Sequence, residues 1–307
     1  MLGKIFHSFV PGDFRIYIVC RLAAWYNKIR FCKLKIYIFW VINLIELQKI
    51  QFKKVGEFLK HNICDTVSAY SILENRQRGR IFVDNLESPK SVLFWHYCGF
   101  AILSGDSTNA AFNNEIYKLL LGQFEYRQKR FALVVDNKDW NERIFELVEN
   151  DTRINKSNRL KFKFDISCFT KTDFTFPAKY NLKTIDDFLL SKMQGTIIPS
   201  YSWDSSASFV KEGKGFCLLD GDSIVCAAFS SFIGNNQMDI GVETTEDYRR
   251  KGFGAIVASS MVTYALENGF EPVWGCTYGN IGSKGIAQKL GFKIVAVHPF
   301  YMKVNEV

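Results

Sequence analysis

A length of 307 residues with 48% hydrophobic and 23% charged side chains is ordinary globular material, enough for two compact domains. The formal net charge of +8 is concentrated: residues 1–60 hold eleven Lys/Arg against three acidic residues, whereas the remaining chain carries 28 of each sign, which argues against a nucleic-acid surface there. The eight cysteines (20, 32, 64, 98, 168, 217, 226, 276) form no C-x-x-C pair, and His7, His61, His96 and His298 are unpaired at helical spacing, so free thiols and no metal site are expected. Polar and charged residues interrupt every early apolar stretch, so no secretory signal is read and a reduced cytoplasmic setting is expected.

Residues 1–60 form a basic, aromatic-rich segment. Within it, residues 14–47 end in Ile36-Tyr-Ile-Phe-Trp-Val-Ile-Asn-Leu-Ile45, about half of the ~20 apolar residues that span a bilayer. Two readings stand for this stretch: a helical layer packed on the next domain with a solvated basic edge, or weak contact with an anionic membrane surface.

From about residue 61 strands alternate with helices. Arg80–Asp84 and Ser91–Cys98 read as strands parted by a turn at Pro89, Asn114–Leu121 as a helix, Phe131–Val135 as a strand and Trp140–Glu149 as a helix. Leu160–Asp165 alternates as a half-buried strand does. Periodicity lapses around Thr170–Tyr180, where Pro177 appears, and a domain junction is placed there, giving domains at 61–175 and 176–307. The second begins with helices near Thr184–Lys192 and Ser205–Glu212. Strands Gly215–Leu219 and Ser223–Ile233 follow, joined by the hairpin signal Asp220-Gly-Asp222.

The run from Ile240 to Gly254 carries the chemistry. An apolar strand leads through a polar turn into Arg249-x-x-Gly252-x-Gly254, and Ala255–Leu266 is a helix by composition and period. A strand running through glycines into a helix aims unpaired amides and the positive dipole end at one point, which suits a phosphate. Pro272–Cys276 reads as a further strand, and Asn280-Ile-Gly-Ser283 opens a helix ending at Lys289-Leu-Gly-Phe292.

These two linked motifs resemble the GCN5-related N-acetyltransferase (GNAT) superfamily, whose acyl-CoA N-acyltransferase fold is an α/β mixed sheet. Gly79–Asn85, Pro89–Ser91, Gly105-Asp106, Ile198–Ser200, Trp203-Asp204, Gly215–Cys217, Glu243-Thr244 and Pro272–Trp274 also look like a bacterial two-domain family that includes the zwittermicin A resistance acetyltransferase. That resemblance spans roughly residues 61–304. It implies a partly GNAT-like first domain, a complete acetyl-coenzyme A-binding second one, and antibiotic resistance by analogy.

The resemblance further implies that the coenzyme lies between the strand ending at Thr244 and the strand Val273–Cys276. Val242 and Thr244 would contact the pantetheine arm. Arg249, Arg250, Lys251, Gly252, Phe253 and Gly254 would hold the pyrophosphate, and Asn280 and Ser283 the thioester end, with helix capping as their other reading. Glu243 is the candidate general base, or else a binder of a cationic substrate; Asp239, on the same strand face, is a lesser candidate. Many superfamily members carry a tyrosine where this chain has Ala287. Tyr278, Tyr301 or a water is left to protonate the leaving thiolate, and Tyr278 is taken as the candidate acid. Cys276 is read as core.

The expected activity is acetyl transfer from acetyl-coenzyme A to the amine of a small molecule by direct attack. Two alternatives stay open: a coenzyme-binding regulatory protein that transfers nothing, favoured by Ala287, and a membrane-associated acyl- or aminoacyl-transferase.

Overall fold

Strand order sets the architecture. The computed structural model describes residues 44–60, 64–123, 130–135, 137–170, 179–195 and 197–304. Apart from its last four residues, the segment 14–47 therefore lies outside the described residues. Twelve strands form one mixed sheet: β1 (Ile45–Glu46), β2 (Gly79–Val83), β3 (Ser91–His96), β4 (Phe100–Gly105), β5 (Ala132–Val134), β6 (Ile154–Phe164), β7 (Tyr180–Thr184), β8 (Gly215–Asp220), β9 (Ser223–Gly234), β10 (Gln237–Thr244), β11 (Glu271–Thr277) and β12 (Phe292–Lys303). Their spatial order is β1-β2-β3-β4-β5-β12-β6-β11-β10-β9-β8-β7. Two neighbouring pairs are parallel, β4 with β5 and β10 with β11.

Among the described residues the helices are α1 (Val67–Leu73), α2 (Ala110–Leu120), α3 (Lys138–Val148), α4 (Asp187–Lys192), α5 (Pro199–Ser202), α6 (Ser206–Glu212), α7 (Phe253–Glu267) and α8 (Ile281–Lys289). Caps set several starts. Asn109 and Asn137 accept the Phe112 and Trp140 amides and begin α2 and α3 four and two residues before the sequence expectation. A 3-10 run at Lys49–Leu59 buries Phe52, Val55 and Leu59.

Three strands were not expected from the sequence, the two-residue β1 among them. Another is β4, an apolar run so close behind β3 that no polar stretch separates them. The third is β7, which begins at Tyr180 where the lapse of periodicity ends. β6 also starts six residues before the alternating run that marks it, because Asn155–Asn158 are exposed and polar and are held by backbone pairing to β12.

β6 belongs to the first half of the chain yet lies between β11 and β12, pairing antiparallel with both. The sheet of the second half is thus completed by a strand from the first. Buried Gln77 joins the halves as well: its amide donates to the Ser231 and Ser202 carbonyls at 2.9 and 3.3 Å, and its oxygen accepts the Ile233 amide at 3.4 Å. Large cores fill both halves, one around Trp95, Phe112 and Trp140, another around Trp203, Phe229, Met261 and Trp274.

Candidate functional site

β10 and β11 begin as partners and then part. They pair from Gln237–Asp239 to Glu271–Val273 and no further. Beyond that point β10 runs on to Thr244 paired with β9 alone, while Trp274–Thr277 of β11 turns to β6. The V between them leaves one edge of β10 unpaired from Ile240 to Thr244, which gives an extended polar ligand a row of backbone donors and acceptors.

At the open end of the V stands the start of α7. Gly252 is its N-cap, in the left-handed region at φ 85°, and no side chain caps the helix. Arg250 is also left-handed, at φ 63°. The first amides of α7 are thus open to a ligand at the positive end of its dipole. Gly254 is buried: a Cβ there would stand 2.7 Å from Ile286 Cδ1, so its glycine lets α7 and α8 meet.

The two features share one cleft of about 650 Å³. Of the residues expected from sequence it is lined by Val242, Glu243, Thr244, Arg249, Arg250, Gly252, Phe253, Gly254, Asn280 and Ser283. Two others do not line it. The Lys251 ammonium sits 4.7 Å over the Tyr248 ring instead. Tyr278 is 64% exposed just past β11, its amide donating to the Asn158 carbonyl at 2.8 Å.

Asn280 caps α8: its side-chain oxygen accepts the Ser283 amide at 3.0 Å. The Ser283 hydroxyl in turn accepts the Trp274 indole N–H at 3.0 Å, which fixes helix to strand. Glu243 is held on both sides. Its Oε2 accepts the Ile197 amide at 3.0 Å, and Oε1 lies 3.7 Å from Arg249 Nη2. Arg249 is pinned across the strand end by donating from Nε to the Thr244 carbonyl at 3.1 Å.

Tyr301 is buried in the core of the first half, its hydroxyl bonded to Asn141 Oδ1 at 3.1 Å, and does not line the cleft. Ala287 is fully buried among apolar side chains. Cys276 is buried in β11, where burial pushes its thiol up.

Asp239 is 5% exposed and outside the cleft, its Oδ1 without a hydrogen-bond partner. Burial, and secondarily the neighbouring Asp65, holds its carboxyl well above the usual range, against the pull of Arg159. A carboxyl whose folded pKa is raised costs stability as pH climbs from its unfolded value toward the folded one, and nothing below that window. Asp239→Asn therefore raises the melting temperature by about 2 °C or more at pH 8 and changes it little at pH 3.5. Scans at the two pH values check the sign.

Several lining residues escaped the sequence reading: Tyr248, Trp274, Gly282, Gly285, Ile286 and Lys289. The spacing 282, 285, 286, 289 is one face of a helix and was the available signal. A Cβ on Gly285 would meet nothing within 4 Å, so no internal contact demands glycine there. Alanine at Gly285 is expected to stabilise the fold by about 0.5–1 kcal/mol and yet weaken any ligand lying against α8. Melting and ligand titration of the same variant give opposite signs if the helix backbone is a contact surface.

The model of the family described as GNAT acetyltransferase matches residues 57–301. The Bacillus subtilis (strain 168) protein named Uncharacterized N-acetyltransferase YdfB is 29% identical over 263 residues, covering 84% of this chain and 98% of its own. A GCN5-related N-acetyltransferase-like protein from Streptococcus suis 89/1591 superposes with a TM-score of 0.66 at 23% identity, over 83% of this chain and 98% of that one. A tandem GNAT protein from the clavulanic acid biosynthesis pathway gives 0.56 at 10% identity, over 84% and 97%. With the family match spanning most of the chain and the splayed strands, glycine-led helix and mixed sheet in place, the protein belongs to the GNAT acetyltransferase family.

Proposed function

We propose that the protein transfers the acetyl group of acetyl-coenzyme A to the amine of a small molecule by direct attack, in the cytoplasm. The observation that carries this reading is the single cleft joining an unpaired strand edge to an uncapped, glycine-led helix start. A long ligand with a pyrophosphate and an amide-bearing arm fits both ends. When bound, the coenzyme supplies an activated thioester.

The chain supplies the rest. Amides from Arg250 to Gly254 take the pyrophosphate, with Arg250 and Lys289 adding positive charge at the rim. The free edge of Val242–Thr244 orients the arm, and the Asn280–Ser283 turn closes the thioester end. Glu243 takes the proton of the attacking ammonium, directly or through one water; the Ile197 amide fixes its carboxylate. With Tyr278 outside the cleft, a water returns a proton to the leaving thiolate.

A second reading is favoured by Ala287, which leaves the usual tyrosine position buried and apolar while Tyr278 stands outside the cleft. In it the protein binds coenzyme and regulates without transfer. Calorimetric titration of acetyl-coenzyme A, followed by thiol release with a panel of amines, separates the two. Binding with release for any amine upholds transfer, binding without release across the panel favours the second reading, and no binding sinks both. Among the described residues no helix is long and apolar enough to cross a membrane.

A further inference from the structure

Alternation along a strand puts Val242 and Thr244 on the coenzyme side and Gly241 and Glu243 on the other. On β11, Trp274 and Cys276 share the coenzyme face, and Gly275 the opposite one. An amine that attacks the thioester while Glu243 takes its proton therefore arrives from the face of Gly241, Glu243 and Gly275.

On that face β6 delivers Arg159. Its Nη2 donates to the Gly275 carbonyl at 3.2 Å. A Cβ on Gly275 would stand 3.0 Å from that same nitrogen, so glycine is what allows the guanidinium to lie across the strand. Its central carbon is 4.8 Å from the Phe100 ring centroid. The Arg130 guanidinium flanks the same ring at 5.4 Å and lies 4.9 Å over the Tyr201 ring. Tyr201 is four residues beyond Ile197, whose amide holds Glu243. One short stretch of chain thus links the carboxylate to one arginine, and one aromatic ring links that arginine to the other.

Among the described residues Arg159 makes no ion pair; its hydrogen bond goes to a carbonyl. Asp239 lies on the same strand face, where burial holds its carboxyl well above the usual range although it feels the Arg159 charge. Asp65 shares a small cavity with both Arg159 and Lys161. The Arg159 guanidinium repels a protonated amine with no negative group, whereas an anion on the same molecule is drawn to it. The arginines then also lower the pKa of the bound ammonium, which eases its loss of a proton toward Glu243.

We propose that the acceptor is an amine that also carries a carboxylate, and that Arg159, with Arg130 behind Phe100, recognises that carboxylate as a specificity-determining pair. A planar guanidinium fits a carboxylate through two parallel hydrogen bonds. The inference rests on the transferase reading for its chemistry, although the recognition can be measured without turnover.

The test uses the full chain and matched pairs of compounds, amino acids of several side-chain classes beside their carboxamides. With saturating acetyl-coenzyme A, the acids are expected to show kcat/KM at least about tenfold above the amides. Arg159→Gln should remove that preference through KM and leave the acetyl-coenzyme A affinity within about twofold, while Arg159→Lys restores part of it. Because Arg159 also packs on Phe100, melting curves of both variants accompany the kinetics. Titration of the same pairs into coenzyme A-saturated protein reads recognition alone. A protein that binds the acids through Arg159 and transfers nothing keeps this proposal and fails the transferase reading. Amides acting or binding as well as acids, or a preference that survives Arg159→Gln, overturns it.

Discussion

Gly252→Glu is expected to weaken acetyl-coenzyme A binding by about 100-fold or more, read by calorimetry. Two effects add. At φ 85° the backbone sits where an L-residue pays roughly 1–2 kcal/mol. The new carboxylate also stands at the amides proposed to hold the pyrophosphate, so attraction becomes repulsion at the positive end of the helix dipole. A Cβ at 252 meets nothing within 4 Å, so the fold has room for the side chain and the loss is one of ligand binding. Gly252→Asn is the control: asparagine tolerates the left-handed region and carries no charge, so it should retain most of the binding. Equal loss in both variants would trace the effect to backbone conformation; unchanged binding in Gly252→Glu would remove the phosphate from this loop.

Glu243→Gln should lower kcat by about 10²–10⁴-fold with little change in acetyl-coenzyme A affinity, the range for loss of a positioned general base. Glutamine suits the question because its carbonyl oxygen still accepts the Ile197 amide, now donated to Oε2 at 3.0 Å. What it cannot do is take a proton. The ion pair with Arg249, at 3.7 Å and with the arginine more than half exposed, is worth under about 1 kcal/mol, so stability should hardly move. A variant that keeps its kcat and raises only the acceptor KM would make Glu243 a binder of the cationic substrate.

Much of the Gly252 end of the cleft was legible in the sequence. Glycine spacing, the strand ahead of it and the helix behind it are local, and local backbone preference decides them: Gly252 at positive φ, Asn280 as cap, the turn at Gly221-Asp222. The family resemblance drawn from those motifs agrees with the match over residues 57–301. Lys289, Gly285 and Tyr248 were within reach of the same reasoning and were missed because no single one is unusual in its own helix or turn.

The opposite face of the sheet is different in kind. Strands β4 and β7 lacked a local signal, and nothing in residues 154–164 says that this strand slides between β11 and β12. That choice depends on backbone hydrogen bonds and side-chain packing between segments more than a hundred residues apart, for which a sequence carries no periodicity. It is also the choice that brings Arg159 to Gly275, separates Tyr301 from the cleft and buries Asp239 beside Asp65. The sequence by itself determined the glycine-led turn, the helix and strand types around it and the family; the splay of β10 from β11, the surroundings of Glu243 and the place of Arg159 were decided only by tertiary structure, because distant segments must first pair before those side chains share a space.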